Sequence, residues 1–269
     1  MKTYIITGAT SGIGKALAEY FAKDNIVWAG YRNESKKDGL IKISDNIKPF
    51  YIDYSKPETI PEAADYLKSQ IEKVDTLINV AGCVVAGPVD CIPIQEFRRQ
   101  FDVNVFGHID FTQRLLSILD GGKIINISSM ASYGIFPFVS PYCASKRALD
   151  IIFNSLALET SQNIKIVSVK PGVIATPLWS KSIEENTKTI QECKGYQTET
   201  AYLVQNAKDN EKNGLKVSKV VEKIAKIDRL KNPKPSYCVG IDSVIASFVS
   251  LLPQSLLNKL IKFRLKHLS

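Results

Sequence analysis

Short runs of β-branched and aromatic residues recur along this chain with helical patterns between them, and that alternation narrows the fold more than any other feature. Residues 4–7, 25–30, 48–52, 76–80, 123–127 and 165–169 read as strands, and residues 237–239 as a short seventh. Between the first two, Ile13, Leu17 and Phe21 repeat at a four-residue spacing, which places them on one helical face. Strands separated by helices require crossover connections, and these return right-handed over a parallel sheet. The expected class is α/β: a doubly wound parallel sheet of Rossmann type, covered by helices on both faces. No Pro/Gly/Ser-rich linker interrupts residues 1–269, so a single domain is expected. The hydrophobic fraction of 45% against 23% charged supplies enough apolar surface for one sizeable core.

Several function classes recede on composition. The five cysteines, Cys83, Cys91, Cys143, Cys193 and Cys238, are scattered and never form a C-x-x-C pair, so neither a disulfide framework nor a zinc site is expected. Only two histidines, His108 and His267, are present, and no metal site is expected. The first residues run straight into a strand pattern without the charged and apolar regions of an export signal. A reducing, cytoplasmic setting follows as the expectation. The apolar run 244–252 is far short of the ~20 residues of a spanning helix. The formal charge of +8 raises nucleic acid as a partner, but its lysines are dispersed and not interleaved with aromatics, so no nucleic acid is expected.

The first strand leads directly into Thr7-Gly8-Ala9-Thr10-Ser11-Gly12-Ile13-Gly14-Lys15. Glycines suit a strand-to-helix turn at which a pyrophosphate approaches a helix amino terminus, because a Cβ would obstruct both backbone and ligand. At the end of the second strand, where a dinucleotide fold reads the adenine ribose, the residues are Gly30-Tyr31-Arg32-Asn33, with no carboxylate. A carboxylate there accepts bonds from the ribose hydroxyls of NAD, whereas Arg32 attracts a 2′-phosphate. NADP(H) is therefore favoured, with NAD(H) open as the alternative.

Residues 140–149, Ser-Pro-Tyr-Cys-Ala-Ser-Lys-Arg-Ala-Leu, put Tyr142 and Lys146 at i and i+4 on one face of a helix start. A phenol with an ordinary pKa of about 10 is a poor base near neutrality, and a fixed ammonium beside it stabilises the phenolate. Thirteen positions before Tyr142, at the end of the fifth strand, stands Ser129, whose hydroxyl can bond a substrate oxygen. Ser128 is the alternative serine.

Taken in order, these motifs resemble the short-chain dehydrogenase/reductase family in its shorter branch, similar to its hydroxysteroid dehydrogenase and carbonyl reductase members. The resemblance runs through the glycine loop, Asp53 after the third strand, Asn79-Val80-Ala81-Gly82, Asn104, Ser129, Tyr142, Lys146 and residues 171–176. It implies an NAD(P)-dependent oxidoreductase acting on a CH–OH group, with Tyr142 as general acid/base. Lys146 would lower the Tyr142 pKa and bind the nicotinamide ribose, Ser129 would polarise the carbonyl, and Asn104 would hold a water linking Lys146 to solvent. Cofactor contacts are implied for Gly8, Thr10, Ser11, Gly12, Ile13, Gly14, Arg32, Asp53, Asn79, Ala81, Gly82, Tyr142, Lys146, Pro171, Gly172, Ile174 and Thr176. Two positions depart from the family pattern. Ser11 stands where many NADP-preferring members carry a second basic residue, leaving Arg32 with Lys36 and Lys37 nearby, and Val80 replaces a second Asn or small residue.

The resemblance further implies a substrate lid over residues 178–215, with Trp179, Tyr196 and Tyr202, against the plainer reading of a polar surface insertion. Val84, Ile135, Phe136, Phe138 and Trp179 point to a small hydrophobic alcohol or ketone. Family members pair through the helices at about 104–119 and 142–161, so a homodimer or homotetramer is implied. Residues 241–269 form an expected helical tail, in which 255–269 combine leucines with Lys259, Lys262, Arg264 and Lys266 and carry no acid. Such a helix packs on its own domain or a partner, or lies peripherally on an anionic membrane. The competing functional reading is a catalytically silent nucleotide-binding sensor or scaffold, which has no need of the Asn104, Ser129, Tyr142 and Lys146 set.

Overall fold

The structure is a computed structural model and describes residues 1–266; the tail residues His267, Leu268 and Ser269 lie outside the described residues. Seven strands form one sheet: β1 (Thr3–Ile6), β2 (Ile26–Tyr31), β3 (Ile47–Tyr51), β4 (Thr76–Asn79), β5 (Lys123–Ile127), β6 (Lys165–Pro171) and β7 (Ser236–Val239). Their order is β3-β2-β1-β4-β5-β6-β7, with every neighbouring pair parallel. The chain builds outward from β1 to β3, then returns to lay β4 on the other side of β1. That reversal opens a crevice at the carboxyl ends of β1 and β4, where open parallel sheets bind ligands.

Strand periodicity explains how both faces are buried. Ile5, Leu77 and Ile124 point to one side, and their chain neighbours Ile6, Ile78 and Ile125 to the other. On the first side lie α3 (Thr59–Gln70), α5 (Gly107–Leu115) and α6 (Ser140–Glu159), which contribute Leu67, Phe111 and Phe153. On the second lie α1 (Gly12–Phe21) and α9 (Val217–Arg229), which contribute Leu17, Phe21, Val221 and Ile224. Each fully buried side chain of this kind contributes ~1.5–3 kcal/mol of transfer free energy. A short α2 (Lys37–Ile41) connects β2 to β3, and α4 (Ile94–Phe101) runs into α5 through a π-helical turn at Asp102–Phe106. Asp228 ties α9 to the sheet by accepting bonds from Lys2 Nζ (2.7 Å), Tyr4 OH (2.9 Å) and Thr76 Oγ1 (2.8 Å).

The polar stretch after β6 is not a featureless insertion. It folds into two packed helices, α7 (Leu178–Glu192) and α8 (Gln197–Asn213). Sparse hydrophobics are enough because α7 docks through polar side chains. Buried Asn186 accepts from the Ala86 N–H (2.9 Å) and donates to the Val84 carbonyl (2.8 Å). One expectation is corrected at the far end of α7, where Cys91 and Cys193 form a disulfide across a sequence separation of 102. Spacing alone could not pair them, because the two meet only when α7 folds onto the loop after β4. Cys83, Cys143 and Cys238 are free.

The tail forms α10 (Ile241–Val249) and α11 (Gln254–Lys266). Leu257, Ile261 and Leu265 of α11 are half-buried at four-residue spacing, while Leu256 and Leu260 remain exposed. The described tail thus lays one face on its own domain. Among the described residues no helix is long and apolar enough to cross a membrane.

Candidate active site

A cavity of about 300 Å³ runs along the carboxyl ends of the central strands, from the glycine loop to the start of α6. Gly8 sits at φ +65°, and a Cβ there would press within 2.9 Å of the Ala81 backbone, so no other residue fits. Gly14 packs α1 onto β1; a Cβ on it would strike the Gly8 carbonyl. Buried Thr7 braces the opposite wall by accepting from the N–H groups of Val80 (3.0 Å) and Ala81 (3.2 Å). The bare backbone edge left by Gly8, Thr10, Ser11 and Gly12 at the amino terminus of α1 is the cradle that a dinucleotide pyrophosphate requires. The cavity therefore fits NAD(P).

Of the residues expected at the cofactor, Gly8, Thr10, Ser11, Gly12, Ile13, Arg32, Asp53, Ala81, Gly82, Tyr142, Lys146, Pro171, Gly172, Ile174 and Thr176 all line this cavity. Three expected residues stand off the wall. Gly14 lies behind the loop. Asn79 is buried between strands, where its amide nitrogen donates to Asn126 Oδ1 (2.9 Å). Asn104, in the π-helical turn, accepts from the Cys83 N–H (2.9 Å) and donates to the Cys83 carbonyl (3.1 Å) and Ser145 Oγ (3.2 Å). Its side chain fixes the segment that carries Gly82 against Lys146.

Between Gly8 and Gly14 the loop has no basic residue of its own, but α7 brings one to it. Lys181 of α7 donates to Ser11 Oγ at 3.1 Å. Burial lowers the Lys181 pKa first, and the positive charges of Lys36 and Arg32 lower it further. Arg32 meanwhile pairs with Glu185 of the same helix at 3.7 Å. Three cations thus surround the place beside Ser11 where the adenine ribose would lie. Sequence reasoning missed Lys181 because it is remote from the loop in sequence; the missing charge at Ser11 was the clue.

At the other end of the cavity, Ser129 follows β5 and caps the turn Met130–Tyr133 by accepting from the Ala131 N–H (3.1 Å). Its hydroxyl faces the phenol of Tyr142. Burial pushes the Tyr142 pKa up to about 12, opposed by the Ser129 hydroxyl. This differs from the expected depression by Lys146, and the reason is geometric. Lys146 Nζ donates to the Ile127 carbonyl at 2.8 Å and stands 5.9 Å from the centre of the phenol ring, and burial sets the direction of the Tyr142 shift. Burial likewise lowers Lys146 to about 8, opposed by Asp150 one helical turn along α6. Ser128, the alternative serine, has its hydroxyl buried without a hydrogen-bond partner.

His108, buried behind this site, bonds the Ala81 carbonyl through Nε2 at 2.8 Å. Burial, and then Lys146, lower its pKa to about 3, so it stays neutral and donates that bond. The loop at 171–176 is held from outside the motif: Asp242 accepts from the Val173 N–H (2.6 Å), and Gly172 donates to the Val239 carbonyl (2.8 Å). A Cβ on Gly172 would collide with the Asp242 carboxylate, which explains the glycine. Asp242 carried no sequence signal beyond being the last acid in the chain.

Comparisons with known proteins agree with this geometry. The family model for short chain dehydrogenases matches residues 2–187. An NADPH-dependent 3-dehydrocapnine reductase of Ornithobacterium rhinotracheale is 30% identical over 282 aligned residues, covering 100% of this chain and 99% of that protein. A 3-ketodihydrosphingosine reductase of Bacteroides thetaiotaomicron is 28% identical, covering 94% of each. The crystal structure of a short-chain dehydrogenase from Streptomyces avermitilis superposes with a TM-score of 0.80 at 25% identity, over 98% of this chain and 96% of that one. The chain belongs to the short-chain dehydrogenase family and is an NAD(P)-dependent oxidoreductase.

Proposed function

We propose that this protein reduces a hydrophobic ketone to a secondary alcohol with NADPH, and that Tyr142 delivers the proton. The observation that carries the reading is the convergence of Ser129, Tyr142 and Lys146 at one end of the cavity whose other end is the glycine loop. The nicotinamide supplies the hydride to the carbonyl carbon when it is bound. Ser129 holds the carbonyl oxygen, and Tyr142 gives that oxygen its proton. A phenol whose pKa is raised to about 12 keeps its proton throughout the neutral range and so has one to give, while its weaker acidity leaves the Lys146 ammonium to stabilise the phenolate. The resulting phenolate is stabilised by the Lys146 ammonium, whose charge Asp150 supports. Two relatives that span nearly the whole chain are named as reductases, which supports the same direction.

NADP(H) is the favoured cofactor, with NAD(H) left open. Arg32, Lys36 and Lys181 supply the positive charge that a 2′-phosphate needs, and one of the relatives is named NADPH-dependent. Residues 178–215, as α7 and α8, act as the lid that keeps water from the reacting carbonyl. Phe106, Ile151 and Leu158 stand exposed on the helices through which family members pair, supporting a homodimer or homotetramer. Lys259 and Lys262 with exposed Leu256 on α11 support peripheral contact with an anionic membrane from the cytoplasm. The catalytic reading is tested with NADPH deuterated at the transferable position and a panel of hydrophobic ketones. The product alcohol should carry deuterium at the carbinol carbon. Alcohol formed without that label, or no oxidation of bound NADPH by any ketone, contradicts the proposal.

A further inference from the structure

A second cavity, of about 560 Å³, adjoins the catalytic one. Val84, Met130, Phe136, Val139 and Trp179 line both, so the two meet where the substrate carbonyl would lie. Among the described residues no Lys, Arg, His, Asp or Glu lines the second cavity. Its volume falls in the ~300–1,000 Å³ range of ligand sites and exceeds that of the catalytic cavity. A small ketone held at Ser129 and Tyr142 would leave all of it unfilled.

We propose that this second cavity holds a long unbranched hydrocarbon chain borne by the substrate, so that the substrate class is long-chain aliphatic ketones. The assignment rests on the reading that Ser129 and Tyr142 hold the carbonyl. The walls are built for apolar contact and come from elements outside the catalytic set. Lid helix α8 turns Leu203 and Ala207 inward at helical spacing, α10 adds Ala246 and Val249, and α11 closes the far side with Leu257 and Ile261. The inward face of the tail is therefore part of the site. The loop between the cavities is preset. Phe138 holds φ at +67°, a costly conformation for a bulky residue, and its carbonyl accepts from the Gly87 N–H at 2.7 Å while its ring meets Tyr196 edge-on. Trp179 is fixed by the bond from its indole N–H to the Ile174 carbonyl (2.8 Å). A string of methylenes can thread between such side chains, whereas a rigid fused-ring ketone needs a single wide slot. The lining offers no charged group to a phosphate, and its apolar side chains outnumber polar ones such as Asn206, Asn210 and Gln254.

The test uses the full chain saturated with NADP+, so that ketones bind without turnover, and follows Trp179 fluorescence as methyl ketones from butanone to dodecanone are titrated. Burying one methylene is worth about a three- to fourfold gain in affinity, and affinity should rise by about that factor per carbon until the cavity is filled. Ala207→Trp and Ala246→Trp, which fill it from two different walls, should each erase the dependence of affinity on chain length. Affinity independent of length in the unmodified protein overturns the proposal. So does a steroid ketone binding as tightly as dodecanone, or length dependence that survives in both variants. If no ketone is reduced yet binding still climbs with length, the chain site stands and the reductase reading is what fails.

Discussion

Replacing Lys181 with alanine removes the positive charge that the lid delivers to the glycine loop. Its ammonium lies 3.1 Å from Ser11 Oγ, and its pKa is depressed by burial first and then by repulsion from Lys36 and Arg32, which Glu185 and Glu184 oppose. A 2′-phosphate relieves that repulsion and gains a charge-assisted hydrogen bond from Lys181, worth roughly 1.5–3 kcal/mol. The corresponding loss of NADPH affinity is roughly tenfold to 150-fold. NADH, which lacks the phosphate, should bind the variant about as well as the parent. Titration of each reduced cofactor, followed by nicotinamide fluorescence, reads both affinities directly, and the NADPH effect should shrink as salt screens the cluster. Equal weakening of both cofactors would show that Lys181 merely braces the lid. An unchanged NADPH affinity would remove it from cofactor selection, leaving Arg32, whose own guanidinium is half exposed and paired with Glu185.

Three other outcomes follow from the same structure. Because Lys146 must be protonated and burial lowers its pKa to about 8, kcat/KM for ketone reduction should be flat below that pH and fall above it; a profile that rises through this region contradicts the role. Asp228 is pulled up by burial, but its bonds from Lys2, Thr76 and Tyr4 outweigh this and hold its pKa below the usual carboxylate value. A depressed folded-state pKa gives stability that is present above about pH 4 and lost as pH falls through the folded value, so Asp228→Asn should lower urea resistance at neutrality by about 1–3 kcal/mol. The deficit should close towards low pH, and a deficit constant with pH would refute the linkage. Finally, alkylation in intact cells followed by mass spectrometry should recover Cys91 joined to Cys193, with Cys83, Cys143 and Cys238 free. Full modification of Cys91 would show the pair reduced in its own compartment.

Much of the fold was legible because each strand is a short β-branched run and each helix an apolar repeat, which are local properties. Residues 123–127 were bounded correctly as a strand from composition alone, and Ile13, Leu17 and Phe21 fall on one face of α1. The residues that line the first cavity were readable because each motif closes within a few residues: the glycine loop, or Tyr142 with Lys146. What stayed hidden depends on contacts distant in sequence. Lys181 reaches Ser11 only once α7 has folded over β1, and Asp242 reaches Val173 from beyond β7. The polar segment 178–215 read equally as a surface insertion because α7 docks through Asn186 and the Cys91–Cys193 bond, and hydrophobic periodicity registers neither. Asn79 is the reverse case: the resemblance names it at the cofactor, while its amide nitrogen turns inward to Asn126 on the adjacent strand.

The central claim is that Tyr142 transfers the proton in a cavity that binds NADPH independently of it. The most direct measurement is Tyr142→Phe, which removes one hydroxyl and keeps the ring that fills the site. NADPH affinity by fluorescence titration should stay within about threefold of the parent, while ketone reduction falls by roughly 10²–10⁴-fold, the usual worth of a positioned general acid. Reduction at near-parental rates in that variant, with NADPH still bound, would contradict the account.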